Sequence, residues 1–218
     1  MQYFITGTDT DCGKTYVTGE LSRHLNEHHR KTLAIKPIAS GCIAEGDQLI
    51  SEDVTRLQAH NYTDQKQING WRYKEPVSPH LAARKMGDKL SSLQIANFCE
   101  QDEFKEADVL LVEGAGGLLV PFNDDETWLD FLKLTKMPVI LVVGMRLGCI
   151  NHALLTDAVL KLNNIICKGW IANYLEESML MADEIISTMS AKMHMPLIAT
   201  VPYCGRIGGF TENSTVFR

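Results

Sequence analysis

A single α/β domain, with a mostly parallel sheet covered by helices on both faces, is what this sequence predicts. Three observations carry that expectation. Short apolar runs alternate with helix-period segments along the whole chain. The runs in the second half are continuously apolar, as in strands buried on both faces, and a glycine-punctuated turn joins the first run to the first helix. A length of 218 residues, with 45% apolar and 22% charged, suits one globular domain over 1–218. The same composition excludes a disordered, collagen-like or coiled-coil chain.

Taken in order, residues 2–6 read as a short apolar strand. Residues 13–29 read as a helix, with Val17, Leu21 and Leu25 on one face. Residues 32–36 form a second strand stopped by Pro37. Residues 51–59 are a short helix with Ser51 as N-cap, and 67–73 are a strand. Ser78 caps a helix that has Pro79 at its first position and runs to Lys85, and 90–104 form another helix. The run 109–112 is a buried strand ended by Gly114-Ala115-Gly116-Gly117, and 138–143 is a similar strand. A helix over 149–162, a strand over 166–172, a helix over 178–193 and a strand over 197–201 complete the alternation. The tail from residue 205 to 218 carries no clear pattern.

No apolar run approaches the ~18 residues of a membrane span. The longest covers 138–144, and residues 1–10 hold neither a basic segment nor a leader-length apolar core. Neither a membrane partner nor a secretory signal is therefore expected. With 21 basic against 27 acidic residues the net charge is −6, which argues against nucleic acid as a partner. Cys12, Cys42, Cys99, Cys149, Cys167 and Cys204 include no C-x-x-C pair, which weighs against zinc-ribbon, redox and iron–sulfur sites. A cytoplasmic, reducing location is expected.

The first strand runs straight into Gly7-Thr8-Asp9-Thr10-Asp11-Cys12-Gly13-Lys14-Thr15, and a helix follows. That is the setting of a phosphate-binding P-loop: small residues let backbone N–H groups turn inward, the helix start adds its dipole, and Lys14 adds a mobile charge. Thr15 offers a hydroxyl to Mg²⁺. The fold class expected is thus P-loop NTPase-like. Five residues rather than four separate Gly7 from Gly13, so Thr8 stands at the usual first-glycine position. Cys12 inside the loop reads as tolerated bulk, since the loop works through its backbone. Glu113, at the C-terminal end of a buried strand, is placed to serve the metal. Asp53 reads equally as a metal ligand or as ordinary helix-start charge. Lys36, at a strand end before Pro37, reads as a surface lysine or as a charge for developing phosphate. Gly148-Cys149-Ile150-Asn151 opens a helix, and reads as a plain turn or as an anion site. His80 reads as packed, solvated or close to the site.

These residues resemble the dethiobiotin synthetase family. The matching stretches are GTDTDCGKT (7–15), KPIASG (36–41), EPVSPH (75–80), VEGAGGLLVP (112–121), LVVGMRLGCINHALLT (141–156) and the strand ending in Ala172-Asn173. The lengthened loop is itself the family form. The resemblance implies a homodimer with shared active sites. It implies ATP- and Mg²⁺-dependent carboxylation of 7,8-diaminononanoate by CO₂ or bicarbonate, closing a cyclic urea through a carbamate and a carbamic–phosphoric anhydride. By matching positions, Thr10, Lys14 and Lys36 stabilise phosphoryl transfer. The segment Asp11, Cys12, Gly13, Lys14, Thr15 and Tyr16, with Glu113, Gly114, Ala115 and Gly116, binds ATP. Asn173 reads adenine with Pro202, Tyr203 and Cys204. Thr15, Asp53 and Glu113 serve Mg²⁺. Ser40, Gly116 and Gly117 touch the diamine or its carbamate, and Gly148, Cys149, Ile150 and Asn151 take the tail carboxylate across the dimer. Tyr174 departs from the acid that the family often places there.

The competing class is the partner-switching P-loop ATPases, which share the fold. Their loop carries a lysine where this chain has Asp9. A nucleotide-binding protein without catalysis is a third reading, against which Lys14, Thr15, Lys36, Asp53 and Glu113 all stand.

Overall fold

A computed structural model describes residues 1–64 and 67–208. Six strands form one parallel sheet: β1 (Gln2–Gly7), β2 (Thr32–Ile35), β7 (Val109–Gly117), β8 (Val139–Met145), β9 (Cys167–Tyr174) and β10 (Leu197–Val201), in the order β10-β9-β8-β1-β7-β2. Around it lie α1 (Lys14–Glu27), α2 (Glu52–Gln58), α3 (Pro79–Met86), α4 (Ser92–Cys99), α5 (Trp128–Thr135), α6 (Cys149–Leu162) and α7 (Ala182–Lys192). Two small pairs stand apart: β3 (Ile38–Ala39) lies parallel to β6 (Trp71–Arg72), and β4 (Ile43–Glu45) forms a hairpin with β5 (Gln48–Ile50). Every residue of β2 and β8 is buried, as continuous apolar runs require when helices cover both faces. No described helix is long and apolar enough to cross a membrane.

The chain winds from β1 to one side through β2 and β7, then crosses to β8 on the other. The strand order therefore switches at β1, and the crevice for a ligand opens at its C-terminal end. Gly7 lies level with Gly117 of β7 and Val142 of β8, and the N–H of Thr8 donates to the Val142 carbonyl at 3.0 Å.

Several expectations are corrected. β7 does not end at Val112 but runs through the glycines, because Gly117 still pairs with Gly7. The helix expected over 90–104 stops at Cys99, and a 3₁₀ turn covers Asp102–Phe104. Phe98 and Phe104 would lie about 120° apart on one continuous helix. The break brings both inward, edge to face at 5.6 Å. The last helix begins at Ala182 rather than 178, since Met181 takes the left-handed φ of 57°. The strand expected over 67–73 shrinks to Trp71–Arg72 and pairs outside the main sheet. Ser51 caps α2 as expected by accepting from the N–H of Val54, whereas Ser78 Oγ lies 2.9 Å from His80 Nδ1 and makes no cap. Residues 209–218, most of the unpatterned tail, lie outside the described residues.

The helix α5 and the β4–β5 hairpin were not anticipated. The signal for α5 is a capping box: Thr127 Oγ1 accepts from the N–H of Leu129 at 3.3 Å, and Asp130 Oδ2 accepts from the N–H of Thr127 at 2.9 Å. Trp128 and Phe131 of α5 then pack on Phe4 at 5.2 and 5.5 Å between ring centroids. Replacing Thr127 with Ala is expected to lower unfolding free energy by ~1 kcal/mol, read as a shifted urea midpoint at unchanged slope. An unchanged midpoint would mean that α5 is held by its aromatic face alone.

Candidate active site

The loop between β1 and α1 is shaped by what it has no room for. Gly13 ends it at φ 82°, and a Cβ there would lie 2.1 Å from Asn173 Nδ2. A Cβ on Gly7 would lie 2.2 Å from Cys12 Sγ, so the buried Cys12 thiol packs under the loop, as bulk, rather than toward a phosphate. Lys14 is buried, and its Nζ donates to the carbonyls of Asp9 (2.8 Å) and Thr10 (3.1 Å). Asp9 Oδ1 accepts from the N–H of Thr10 at 2.7 Å, and Oδ2 pairs with Arg146.

Beneath the loop lies a charged cluster. Glu113, fully buried, accepts from Thr15 Oγ1 at 2.7 Å and from Lys36 Nζ at 2.6 Å, both through Oε1. Lys36 Nζ also meets Asp53 Oδ2 at 2.5 Å. Burial pulls the Lys36 pKa down, but Glu113 and Asp53 outweigh it, and the net is above the ordinary lysine value. For Asp53 burial pushes up, but Lys36 outweighs it through charge and hydrogen bond, and the net is below the ordinary aspartate value. Asp53 is therefore more than helix-start charge.

Mg²⁺ fits this donor set. Glu113 Oε2 is buried with no hydrogen-bond partner, which is costly for a carboxylate oxygen unless it has a further ligand. Thr15, Asp53 and Glu113 offer only hard oxygens. No cage of three or more His, Cys, Asp or Glu exists among the described residues. Mg²⁺ bound with phosphates asks for just one or two carboxylates.

Above the cluster opens a cavity of ≈ 380 Å³. Of the expected residues, Thr10, Asp11, Gly13, Lys14, Thr15, Tyr16, Lys36, Ser40, Asp53, Ala115 and Gly116 line it. Arg56 lines it too and was missed; its only signal is its place three residues after Asp53 on α2. A second cavity of ≈ 330 Å³ shares Thr10, and its apolar wall comes from Leu118, Leu119, Val120, Leu155 and Val159, with Gly117 beside them. Gly114 lines neither cavity; a Cβ there would sit 2.6 Å from the Phe4 ring, so its small size serves packing against β1. Asn173 is buried, and its Nδ2 donates to the Cys12 carbonyl at 2.9 Å, bracing the loop. Pro202, Tyr203 and Cys204 line neither cavity, but the same turn is tied to α1 by Tyr16 Oη, which donates to the Gly205 carbonyl at 2.9 Å. Gly148, Cys149, Ile150 and Asn151 also line neither cavity; Gly148 opens α6 at φ 92°. His80 lies away from the loop, beside Ser78.

A phosphate loop at the switch of a parallel sheet, with lysine, hydroxyl and buried carboxylate converging below it, defines a P-loop nucleotide-binding protein. Over residues 1–209 the chain matches the family described as AAA domain. A relative from Legionella pneumophila (strain Corby), named ATP-dependent dethiobiotin synthetase BioD, is 52% identical over 98% of this chain and 99% of its own. One of the same name from Cellvibrio japonicus (strain Ueda107) is 40% identical over 92% and 88%. Among solved structures, the septum site-determining protein MinD with Mg-ADP from Pyrococcus horikoshii superposes with a TM-score of 0.56 at 19% identity, over 93% of this chain and 82% of that one. A ParA family ATPase from Chlorobium tepidum gives 0.54 at 12%, over 92% and 83%. Those two share the fold alone. The chain belongs to the ATP-dependent dethiobiotin synthetase family.

The depressed Asp53 pKa fixes a pH dependence. A carboxyl whose folded value lies below its unfolded value adds stability above about pH 4 and loses it as pH falls through the folded value. Lys36, raised, adds stability below its ordinary value and loses it as pH climbs through the folded one. Asp53→Asn is therefore expected to be less stable than wild type at pH 7, with the gap narrowing steadily below about pH 4 in urea titrations. A gap of constant size across that range would mean that the Asp53 charge adds no stability.

Proposed function

We propose the following course for ATP-dependent dethiobiotin synthesis by this chain. One amine of 7,8-diaminononanoate adds to CO₂, forming a C–N bond and releasing a proton, to give a carbamate. A carbamate oxygen attacks the γ-phosphate in line, and ADP leaves. The product is a carbamic–phosphoric mixed anhydride. The second amine then attacks its carbonyl carbon, phosphate leaves, and the cyclic urea closes.

The observation that carries this reading is the Lys36 ammonium, held 2.5 Å from Asp53 and 2.6 Å from Glu113 at the wall of the phosphate cavity. Carbamate and ATP are both anions, so catalysis is mainly positioning and charge neutralisation. The N–H groups from Asp11 to Tyr16 face the β- and γ-phosphates at the start of α1. Lys14 exchanges two loop carbonyls for phosphate oxygens. Lys36 neutralises charge where carbamate and γ-phosphate meet, and Thr10 donates beside it. Ser40 with the Gly116 and Gly117 backbone holds the carbamate. Mg²⁺, carried by Thr15, Asp53 and Glu113, would neutralise phosphate charge. The apolar cavity that shares Thr10 suits the aliphatic chain. By the family resemblance, Asn173 and the 202–204 turn would border the adenine. The six free thiols support a cytoplasmic setting.

With Mg-ATP, diaminononanoate and bicarbonate, the wild type is expected to release ADP only when all are present. Lys36→Ala is expected to lower kcat by ~10²–10³ while the ATP KM changes far less, since its charge is needed as the phosphoryl group moves. A raised KM at unchanged kcat would contradict that role.

The active sites are shared in a homodimer. The substrate's amine end lies at Lys36, and its tail carboxylate lies at the α6 start of the neighbouring subunit, at Gly148 to Asn151. That helix start offers open N–H groups and partial positive charge. Mixing inactive Lys36→Ala with Asn151→Asp should restore activity, because one site in a mixed dimer combines an intact Lys36 with an intact Asn151. No recovery in verified mixed dimers of folded parents would reject the shared site.

A further inference from the structure

Lys36 has a reach that must be aimed. Its side chain meets Glu113 and Asp53 with about hydrogen-bond precision, yet its backbone sits where β2 has just ended and Pro37 contributes no N–H. Beyond Ile35 the β7 ladder no longer holds the chain. The segment 68–71 takes over. The Lys36 N–H donates to the Ile68 carbonyl at 2.9 Å, and the N–H groups of Gly70 and Trp71 donate to the Pro37 carbonyl at 3.0 and 2.9 Å. The Lys36 carbonyl is served by one side chain, Asn69, whose Nδ2 donates to it at 2.6 Å. The same Nδ2 lies 3.1 Å from the Pro37 carbonyl and 3.2 Å from that of Trp71. Asn69 Oδ1 in turn accepts from Arg72 Nε at 2.7 Å, which fixes which way the amide faces.

From this geometry we infer that Asn69 is the positioning residue of Lys36 and sets the rate of phosphoryl transfer through it. Asn69 is buried and lines a separate cavity with Gly70, Trp71 and Phe98, not the phosphate cavity or the apolar cavity beside it, so its route to the reaction is the Lys36 backbone it holds. The shortest of its four hydrogen bonds is the one to Lys36. The inference rests on the phosphoryl-transfer role of Lys36 proposed above. Asn69→Asp keeps the shape but removes both donors and turns a carboxylate oxygen toward three carbonyls. Asn69→Ser is the gentler variant, keeping one hydroxyl donor in a smaller side chain.

Misplacing a reacting group by about 1 Å costs ~10²-fold in rate. Accordingly Asn69→Asp should lower kcat by roughly 10- to 100-fold and Asn69→Ser by less, both with the ATP KM within about twofold of wild type. Phe98→Leu is the control for simple loosening. Phe98 packs on Trp71 at 5.8 Å and against Gly70 but makes no hydrogen bond to residues 36–37, so this variant should lower Tm and leave kcat unchanged. The deciding measurement is the double variant. If Asn69 works through Lys36, adding Asn69→Asp to Lys36→Ala should cost less than about twofold further in ADP release. A full multiplicative loss in the double variant, or kcat near wild type in both Asn69 variants, overturns the inference. Normal turnover by Lys36→Ala alone removes the Lys36 role first, and this one with it; an inactive Lys36→Ala beside fully active Asn69 variants removes this one only.

Discussion

An ammonium buried in a protein interior has to be paired, because losing its water costs several kcal/mol that only close carboxylates return. Lys36 meets that demand through Glu113 and Asp53. Three elements must therefore converge: the end of β2, the middle of β7 and the first turn of α2. The strand order that sets β2 beside β7 brings the first two together, and α2 follows closely enough after β2 to fold back over them. Thr15, from the start of α1, joins the same carboxylate. One buried charge cluster thus ties the phosphate loop, two sheet strands and a helix start into a single unit.

The loop above that cluster depends on close backbone approach. Side chains are excluded where Gly7 meets Cys12, where Gly13 meets Asn173, and where Gly144 of β8 comes within 2.9 Å of the Cys12 Cα measured from a would-be Cβ. The residues that crowd the loop also support it. Cys12 fills the space beneath, and Asn173 reaches across from β9 to a loop carbonyl. Charge binding then falls to backbone N–H groups and to Lys14, while the neighbouring cavity keeps an apolar wall. Fold neighbours such as MinD and ParA share the sheet but little of the sequence, so the chemistry resides in these particular side chains rather than in the architecture.

The strands and most helices were legible because their signals are local. Continuous apolar runs marked β7 and β8, and Ser51 capped its helix as its position implied. The helix α5 carried a local signal too, the Thr127–Asp130 box, but its short apolar run is easily taken for loop. The break after Cys99 had no local cause; it follows from bringing Phe98 and Phe104 inward together. In the site, Lys14, Thr15 and Glu113 stood out in the sequence. Asp53 stayed open between two readings until Lys36 was seen beside it, and Arg56 and Asn69 carried no motif at all.

By itself the sequence determined the phosphate loop, since a strand, a turn of small residues and a helix start are consecutive, and the N–H directions depend on neighbours along the chain. It also marked a buried apolar run leading into an acid, Glu113, although that strand runs on past it to Gly117. Only the tertiary structure decided that Glu113 meets a lysine 77 residues away, that Asp53 closes the pair, and that Asn69 holds the backbone of Lys36 from 33 residues downstream. The physical reason lies in the strands. Runs of Val, Ile and Leu bury equally well beside any similar run, so they carry no address for their neighbours. Which strands lie side by side is decided by how the whole sheet packs, and the meeting of the charges they carry follows.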